Sequence, residues 1–116
     1  MVEKVPEESE EQIAFVQWIK RKHPTVLFFA IPNGGKRPKK TAATLKAEGV
    51  SSGVPDLCFP GINLFIEMKR QKGGRVEPNQ KIWISDLRNA GWQVEICKGF
   101  EEAKRAFEIQ MIWSEK

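Results

Sequence analysis

The stretch that decides the fold is Gly53-Val54-Pro55-Asp56-Leu57-Cys58-Phe59-Pro60-Gly61-Ile62-Asn63-Leu64-Phe65-Ile66-Glu67-Met68-Lys69. It predicts two short strands, residues 57–59 and 64–66, because Pro and Gly between β-forming runs are typical of a hairpin. If the turn is centred on residues 61–62, counting outward along both strands puts Asp56 directly opposite Glu67. Opposed residues of an antiparallel pair point to the same face, with Cβ atoms roughly 5 Å apart. The hairpin therefore predicts two neighbouring carboxylates, provided that its register is not shifted by one residue.

A lysine joins these carboxylates. Lys69 lies two residues beyond Glu67, so the alternation of a strand puts it on the same face. Neighbouring carboxylates repel each other unless a cation lies between them, and their oxygens select Mg²⁺ or Mn²⁺. Such an ion polarises a phosphoryl oxygen, while a lysine orients the attacking water or offsets developing charge. The pattern predicts phosphodiester hydrolysis. A hairpin with an ordinary salt bridge is the alternative, and spacing alone does not decide between them.

The start of the chain predicts an arm and a helix. Residues 1–6 are predicted to be a flexible arm. A helix is predicted over residues 6–22, because acidic residues crowd its first turn and basic residues close it. The predicted apolar face comprises Ile13, Val16 and Ile19, with Phe15 beside them.

Two basic segments flank the hairpin. The first comprises Lys36, Arg37, Lys39, Lys40 and Lys46, and the second comprises Arg70, Lys72 and Arg75. Each segment contains or adjoins a pair of glycines, which lets a nucleic-acid strand approach closely. Contacts from these cations to phosphates would give affinity without reading the base sequence. For the first segment, a solvated basic loop is the alternative.

The remaining segments complete an α/β pattern. Residues 26–31 form a continuous apolar run, which predicts a strand buried on both faces. Further helices are predicted over residues 39–47, 78–90 and 100–113, and a half-buried strand over residues 92–97. The order is helix, strand, helix, strand, strand, helix, strand, helix. It predicts a mixed sheet flanked by helices, with the last two strands parallel.

The last two helices carry further candidates. The residues of the 78–90 helix predicted to face inward are Ile82, Trp83, Ile84 and Leu87. Gln80 lies on the same side of the helix as Trp83, Ile84 and Leu87. A polar side chain there must find partners, and capping of the helix start is the alternative to a site role. In the final helix the predicted core stripe is Phe100, Ala103, Phe107 and Met111, whereas Ile109, Ile112 and Trp113 fall outside it. This outer apolar surface indicates either a homodimer contact or packing against the first helix.

The composition is that of one globular domain, predicted to span residues 7–116. Of the 116 residues, 41% are hydrophobic and 29% are charged, which excludes a disordered chain. A net charge of +4 and a pI of about 9.2 fit a polyanionic partner. Cys58 and Cys97 lie in apolar runs, which predicts buried thiols rather than disulfides or zinc ligands. No signal peptide or spanning segment is visible, so we expect a soluble, intracellular protein with no membrane partner.

The same residues resemble a known family. Pro55-Asp56 followed by Ile66-Glu67-Met68-Lys69 resembles the signature of the PD-(D/E)XK nuclease superfamily. Other segments resemble its VRR-NUC branch, and in chain order they are Ile31-Pro32-Asn33-Gly34-Gly35-Lys36-Arg37, Lys46-Ala47-Glu48-Gly49-Val50, Gly53-Val54-Pro55-Asp56, Lys72-Gly73-Gly74-Arg75 and Pro78-Asn79-Gln80. The resemblance implies a restriction-endonuclease-like α/β fold and a nuclease working in the cytoplasm of a bacterium or a phage-infected cell.

The resemblance also implies a set of site residues. Asp56, Glu67 and the backbone carbonyl of Met68 would hold Mg²⁺ or Mn²⁺ with a glutamate of the first helix. By its spacing to Gln12 that glutamate is Glu8, with Glu11 as the alternative. Lys69 and Gln80 would position the attacking water.

Stand-alone members of the family are proposed to act as homodimers on branched DNA, including four-way (Holliday) junctions. The predicted function is therefore a metal-dependent, structure-selective DNA endonuclease. One alternative is a DNA-binding module without catalysis that uses only the basic loops. Another is a sequence-specific restriction-like endonuclease, although little chain remains for an insertion that reads bases.

Overall fold

The computed structural model describes residues 4–32 and 41–115 of the protein. Its elements are α1 (Glu8–Lys22), β1 (Phe29–Ala30), α2 (Ala42–Ala47), β2 (Leu57–Phe59), β3 (Leu64–Lys69), α3 (Pro78–Asn89), β4 (Gln93–Lys98) and α4 (Phe100–Ser114). The strands form one sheet in the order β1-β2-β3-β4, antiparallel except for the parallel pair β3–β4. The predicted order and the mixed sheet flanked by helices are confirmed.

The hairpin has the predicted register. Cys58 pairs with Phe65, and the pairing continues to Leu57–Ile66 and Phe59–Leu64. The connection contains a short 3₁₀ turn, Pro60–Ile62, which the Asn63 amide closes by donating to the Pro60 carbonyl at 3.4 Å. Asn63 itself has a φ of 56°, a left-handed conformation that asparagine tolerates better than most residues. One more step along both strands puts Asp56 opposite Glu67, as the sequence predicts.

The sheet has a different core on each face. On one face, the buried residues of the sheet and of α1 and α4 are Phe15, Trp18, Ile19, Leu57, Phe59, Leu64, Ile66, Met68, Cys97, Ala103 and Phe107. On the other face, against α3, they are Cys58, Phe65, Ile84 and Val94. Because β3 alternates, Glu67 and Lys69 share the α3 face with Phe65. The strand thus points its charged residues toward the start of α3.

Strand β1 differs from the prediction for residues 26–31. Only Phe29–Ala30 pair in the sheet, and neither residue is buried. Among the described strands β1 contacts β2 alone, so it is an edge strand. Phe28 stacks against Phe59 with ring centroids 5.5 Å apart, whereas Phe29 is 51% exposed. The apolar run was predicted to be buried on both faces, which was wrong: only two of its residues pair in the sheet, and both of them are exposed.

Two predicted helix faces were wrong in detail. Ile13 of α1 and Ile82 of α3 were predicted to face inward, but they are 57% and 63% exposed. Phe15 and Ile19 of α1 are buried as predicted, but the buried face also includes Glu11 and Trp18. Trp18 was missed although its ring packs near Phe107, with centroids 5.8 Å apart. Ile13 lies almost opposite this buried face, because a helix makes one turn in about 3.6 residues, so its side chain points to solvent.

The other helices agree closely with the prediction. Helix α2 begins at Ala42 rather than at residue 39, because Thr41 caps it by accepting the Thr44 amide at 3.1 Å. In α4, Ala103 and Phe107 are fully buried, with Phe100 and Met111 packed beside them.

Both cysteines are free and buried, as predicted. Within residues 4–32 and 41–115, no helix is both long and apolar enough to cross a membrane.

Candidate active site

The candidate site lies at the open end of the hairpin, away from its turn, where β2 begins and β3 ends. Asp56 follows Gly53, Val54 and Pro55 into β2, and its Oδ2 accepts a hydrogen bond from the Met68 amide at 2.7 Å. This side chain takes the place of a backbone partner just beyond the last β2–β3 pair. The negative charge of Asp56 also raises the pKa of Glu67. The predicted meeting of the two carboxylates is therefore found in the structure.

Glu67, Lys69 and Gln80 form a closed triangle of polar contacts. The Lys69 Nζ donates to Gln80 Oε1 at 2.9 Å and lies 3.3 Å from Glu67 Oε2. The Gln80 Nε2 donates to the same Glu67 oxygen at 2.9 Å. Glu67 and Lys69 are only 1% and 6% exposed, so water screens these contacts little. The lysine ammonium is therefore held in one position.

Gln80 also organises the start of α3. Its Oε1 accepts the backbone amide of Glu77 at 2.8 Å, as in a capping box. Gln80 therefore makes the capping contact and also contacts Lys69 and Glu67, while its role in an active site stays a prediction. The helix start and the carboxylate site are consequently coupled through this amide group.

The loop before Asp56 fixes where α3 begins. Gly53 is buried with a φ of 92°, and a Cβ atom there would lie 2.8 Å from the Asn79 backbone. The Asn79 side chain donates to Ser52 Oγ at 3.0 Å across the same contact. Only a glycine allows this approach at this φ. The contact holds Gln80 at the distance from β3 that the triangle requires.

Burial and neighbouring charges shift the pKa of the Glu67 carboxyl group. Its pKa is raised to about 7 by burial first and by the charge of Asp56 second, with Glu8 adding to the effect; Lys69 acts in the opposite direction. Among the described residues, no group hydrogen-bonds to the buried Oε1 of Glu67. A buried carboxylate oxygen without a donor is costly unless a cation satisfies it. The oxygen therefore fits a position beside a metal ion.

The Met68 carbonyl lies on the correct side of β3 to join this oxygen set. The N–H and C=O of one strand residue point to the same side of the strand. Because the Met68 N–H points to Asp56, its carbonyl points to that side as well. Within the part of the chain that the structure describes, no group of three or more His, Cys, Asp or Glu residues is arranged to hold a metal. The candidate set is thus two carboxylates and a main-chain oxygen, with Glu8 nearby.

The two candidate glutamates of α1 differ in their surroundings. The charge of Glu8 contributes to the raised pKa of Glu67, so the two carboxylates interact electrostatically. Glu11 is 7% exposed, and its Oε2 accepts a hydrogen bond from Gln71 at 2.8 Å. Glu8 is therefore close enough to Glu67 to affect its pKa, whereas Glu11 is engaged with the loop after β3.

The predicted DNA-binding cations fall into three groups. Lys36, Arg37, Lys39 and Lys40 lie outside the described residues. Lys46, Lys72 and Arg75 are exposed, as phosphate contacts would have to be. Arg70 is half-buried, and its guanidinium donates to the Val5 and Pro6 carbonyls at 3.1 and 3.4 Å. These two bonds also attach the end of the predicted flexible arm to the body of the protein.

Sequence reasoning missed the contacts of Gln71 and Gly99. Gln71 bonds to Glu11, and both side chains pack around Gly99, where a Cβ would lie 2.8 Å from Gln71 Cγ. The only indication of these contacts in the sequence was that an acidic residue, Glu11, has the helical spacing of the buried face of α1. Periodicity assigns such a position to solvent when the residue is charged.

Comparisons with known proteins found a matching family and a similar solved structure. The family model of the VRR-NUC domain matches residues 6–101. A solved structure described as a VRR_NUC domain protein is 25% identical in sequence and has a TM-score of 0.69. The alignment covers 90% of this chain and 88% of that chain. No curated protein matches the chain in sequence.

Proposed function

Because this chain belongs to the VRR-NUC domain family, a family of nuclease domains that process DNA, we propose that it is a metal-dependent DNA endonuclease with its active site at Asp56, Glu67, Lys69 and Gln80. One observation supports the proposal above all others. Glu67 is buried beside Asp56 with a pKa raised to about 7, and its Oε1 has no hydrogen-bond donor among the described residues. A divalent cation would satisfy that oxygen and stabilise the two neighbouring carboxylates in their ionised form.

The oxygen atoms available at the site suit Mg²⁺ or Mn²⁺. Asp56, Glu67, the Met68 carbonyl and Glu8 are the groups that would hold the ion. All are hard oxygen ligands, and none is a thiolate or imidazole, which would favour a softer metal. When bound, such an ion supplies Lewis-acid polarisation of the scissile phosphate.

The protein groups of the triangle supply positioning and charge. Lys69 is fixed by Gln80 and Glu67, so its ammonium can donate to the attacking water or to a phosphate oxygen without reorganising. Gln80 holds the Lys69 Nζ through Oε1 and the Glu67 oxygen through Nε2. The water oxygen would bond to phosphorus as the P–O bond to the leaving sugar oxygen breaks; the water gives up one proton to solvent, and the leaving oxygen takes up a proton from solvent. The low exposure of Lys69 and Glu67 strengthens these interactions relative to bulk water.

The test is cleavage of labelled DNA with and without Mn²⁺. We expect wild-type protein to cut in Mn²⁺ and not in EDTA. Asp56→Asn should lose cleavage while it still binds DNA, because the basic loops are unchanged. A wild-type protein that binds DNA but never cuts it would instead be a binding module, and the proposal would be wrong.

The finer proposal is that the substrate is branched DNA and the active form a homodimer. The exposed surface of α4 supports the dimer, because Ile109, Ile112 and Trp113 are 49%, 60% and 65% exposed. Ile109 and Trp113 also line an open groove of about 540 Å³ between α4 and β4. Two sites related by a two-fold axis suit paired incisions in a symmetric four-way junction.

Cleavage of four substrates in parallel tests the preference: a four-way junction, a flap, a single strand and a linear duplex. We expect the junction to be cut fastest, by paired nicks in opposing strands. Equal rates on all four would contradict structure selectivity. A cut at one fixed sequence in linear duplex would favour a restriction-like enzyme.

We also propose that the protein works in the cytoplasm, where bacterial or phage DNA is accessible.

A further inference from the structure

The two residues that follow Lys69 both turn back onto the start of α1. The Arg70 guanidinium donates to the main-chain carbonyls of Val5 and Pro6 at 3.1 and 3.4 Å. The Gln71 amide donates to Glu11 Oε2 at 2.8 Å. These contacts link positions separated by 60 to 65 residues in the chain. They therefore join the end of β3 to the beginning of α1.

The two contacts lie on either side of Glu8. Val5 and Pro6 precede it, and Glu11 follows it within the first turn of α1. The first turn of a helix is the part that frays most readily, because its amides lack intrahelical partners. A carboxylate on the first residue would be poorly placed without such contacts. A ligand must be held within about 0.5 Å of its productive geometry to function well.

Gly99 lies against the Glu11–Gln71 hydrogen bond that joins α1 to the loop after β3. Gly99 has a φ of 92°, and a Cβ atom there would contact Glu11 Oε2 and lie 2.8 Å from Gln71 Cγ. Its amide donates to the Lys69 carbonyl at 3.0 Å. The Glu11–Gln71 bond is thus packed against the junction of β4 and α4, which limits its freedom to move.

We propose that Arg70 and Gln71 are positioning residues, which fasten the first turn of α1 to the end of β3 and thereby fix the Glu8 carboxylate beside Asp56 and Glu67. Arg70 then acts on the protein itself rather than on a DNA phosphate, and Glu11 is an anchor rather than a metal ligand. The inference rests on the proposed function, since it gives Glu8 a role at the metal site.

The experiment is calorimetric titration of Mn²⁺ into the protein in the absence of DNA. We expect Arg70→Ala to bind Mn²⁺ about 10-fold more weakly than wild type, in the range of about 10- to 100-fold that groups behind a ligand contribute. Gln71→Ala should act in the same direction. In a Glu8→Gln background the Arg70→Ala change should add less than about 2-fold, because residues that act through one group are not additive.

Lys72→Ala is the matched comparison, because Lys72 lies in the same loop and is exposed. It should weaken DNA binding and leave Mn²⁺ affinity unchanged. If Arg70→Ala behaves like Lys72→Ala, Arg70 is a phosphate contact and the inference is overturned. The inference is also overturned if Arg70→Ala weakens Mn²⁺ binding equally with and without Glu8.

Amide hydrogen exchange separates this inference from the proposed function. The Glu11 amide bonds to the Glu7 carbonyl, so its exchange reports opening of the first turn of α1. We expect exchange over residues 11–14 to be at least about 10-fold faster in Arg70→Ala than in Lys72→Ala. A wild type that binds no Mn²⁺ would refute the metal site, yet the fastening would still be supported by faster exchange. Unchanged exchange would overturn the inference whatever the protein binds.

Discussion

The pKa of Glu67 is determined by burial and by three neighbouring charges. Burial, Asp56 and Glu8 raise its pKa, whereas Lys69 stabilises its ionised form, and the result is about 7. The carboxyl of a free glutamate ionises near 4.5. Between these two values the folded protein keeps a proton that the unfolded chain has released. Folding stability without metal must therefore fall as pH rises through this window.

The first prediction concerns this pH dependence. In EDTA the free energy of unfolding of wild type should decrease by roughly 3 kcal/mol more between pH 4.5 and pH 7.5 than that of Glu67→Gln. The glutamine is isosteric with the protonated acid and does not ionise. Urea unfolding at several pH values measures the difference. Parallel profiles for the two proteins would show that Glu67 titrates normally.

The second prediction concerns Gln80. Gln80→Met keeps the size of the side chain but removes the acceptor for Lys69 and the donor to Glu67. We expect kcat to fall about 100-fold, the usual scale for one positioning or charge-stabilising group. Lys81→Met is the control, because Lys81 is exposed on the neighbouring position of α3. If both variants cut DNA at the wild-type rate, Gln80 only caps its helix.

Single residues were predicted with uneven success for a physical reason. Asp56, Glu67 and Lys69 follow from the period of a strand once the turn is located, since alternation leaves no freedom. Arg70 was assigned from charge, which does not distinguish a surface cation from one that bonds main-chain carbonyls. Glu11 was the alternative to Glu8 as the first-helix glutamate that the family resemblance implies. The partners of Arg70 and Glu11 lie about 60 residues away in sequence. No local pattern contains that information.

At the scale of elements, the loop before β2 contacts the start of α3. This contact determines where Gln80 lies relative to Glu67 and Lys69. The third prediction is that Gly53→Ala costs about 1–3 kcal/mol of stability, because the new Cβ would lie 2.8 Å from the Asn79 backbone at a φ of 92°. Activity should fall further than stability explains, since α3 carries Gln80.

Gly61→Ala provides the control for that substitution. A Cβ at Gly61 would meet nothing within 4 Å, and its φ lies outside the left-handed region. Its effect should remain within about 0.5 kcal/mol. Thermal unfolding and cleavage assays on both variants test the comparison. Equal effects of the two alanines would indicate that the Gly53 contact does not hold α3 in place.

The elements themselves were largely predictable because their boundaries carry specific chemistry. Pro60 and Gly61 located the hairpin turn, and Pro78 and Gly91 bracketed α3. The apolar run at residues 26–31 carried no such information about its neighbours. Burial on both faces depends on which elements pack above and below a strand, and Phe29 and Ala30 of β1 are both exposed. That property belongs to the assembled sheet.

At the scale of the whole molecule, the larger hydrophobic core and the candidate active site lie on opposite faces of the sheet. One face carries the large aromatic core of α1 and α4, and the other combines a smaller core with the charged triangle. The aromatic face supplies stability: Phe15, Phe59 and Phe107 are fully buried and contact one another. The other face can therefore accommodate a buried carboxylate and ammonium, although such groups are unfavourable in isolation.

The fourth prediction concerns association through α4. Ile112→Glu should convert a dimer to a monomer in sedimentation velocity, because a charge on an apolar interface is strongly unfavourable. Ile82→Glu is the matched control, since Ile82 is 63% exposed and Ile112 is 60% exposed, but they lie on different helices. We expect the control to associate as wild type does. A wild type that is monomeric at all concentrations, or a dimer unaffected by Ile112→Glu, would contradict the α4 interface.

The buried thiols have a practical consequence for experiments on this protein. Cys58 and Cys97 are 3% and 2% exposed, and burial raises both pKa values, that of Cys97 to about 12. Maleimide dyes react with the thiolate, so neither native cysteine should be labelled near neutral pH. A cysteine introduced at exposed Ser85 should then take up a single fluorophore, verified by intact mass, without any cysteine-free background. Fluorescence could follow DNA bending or strand separation on an otherwise native sequence.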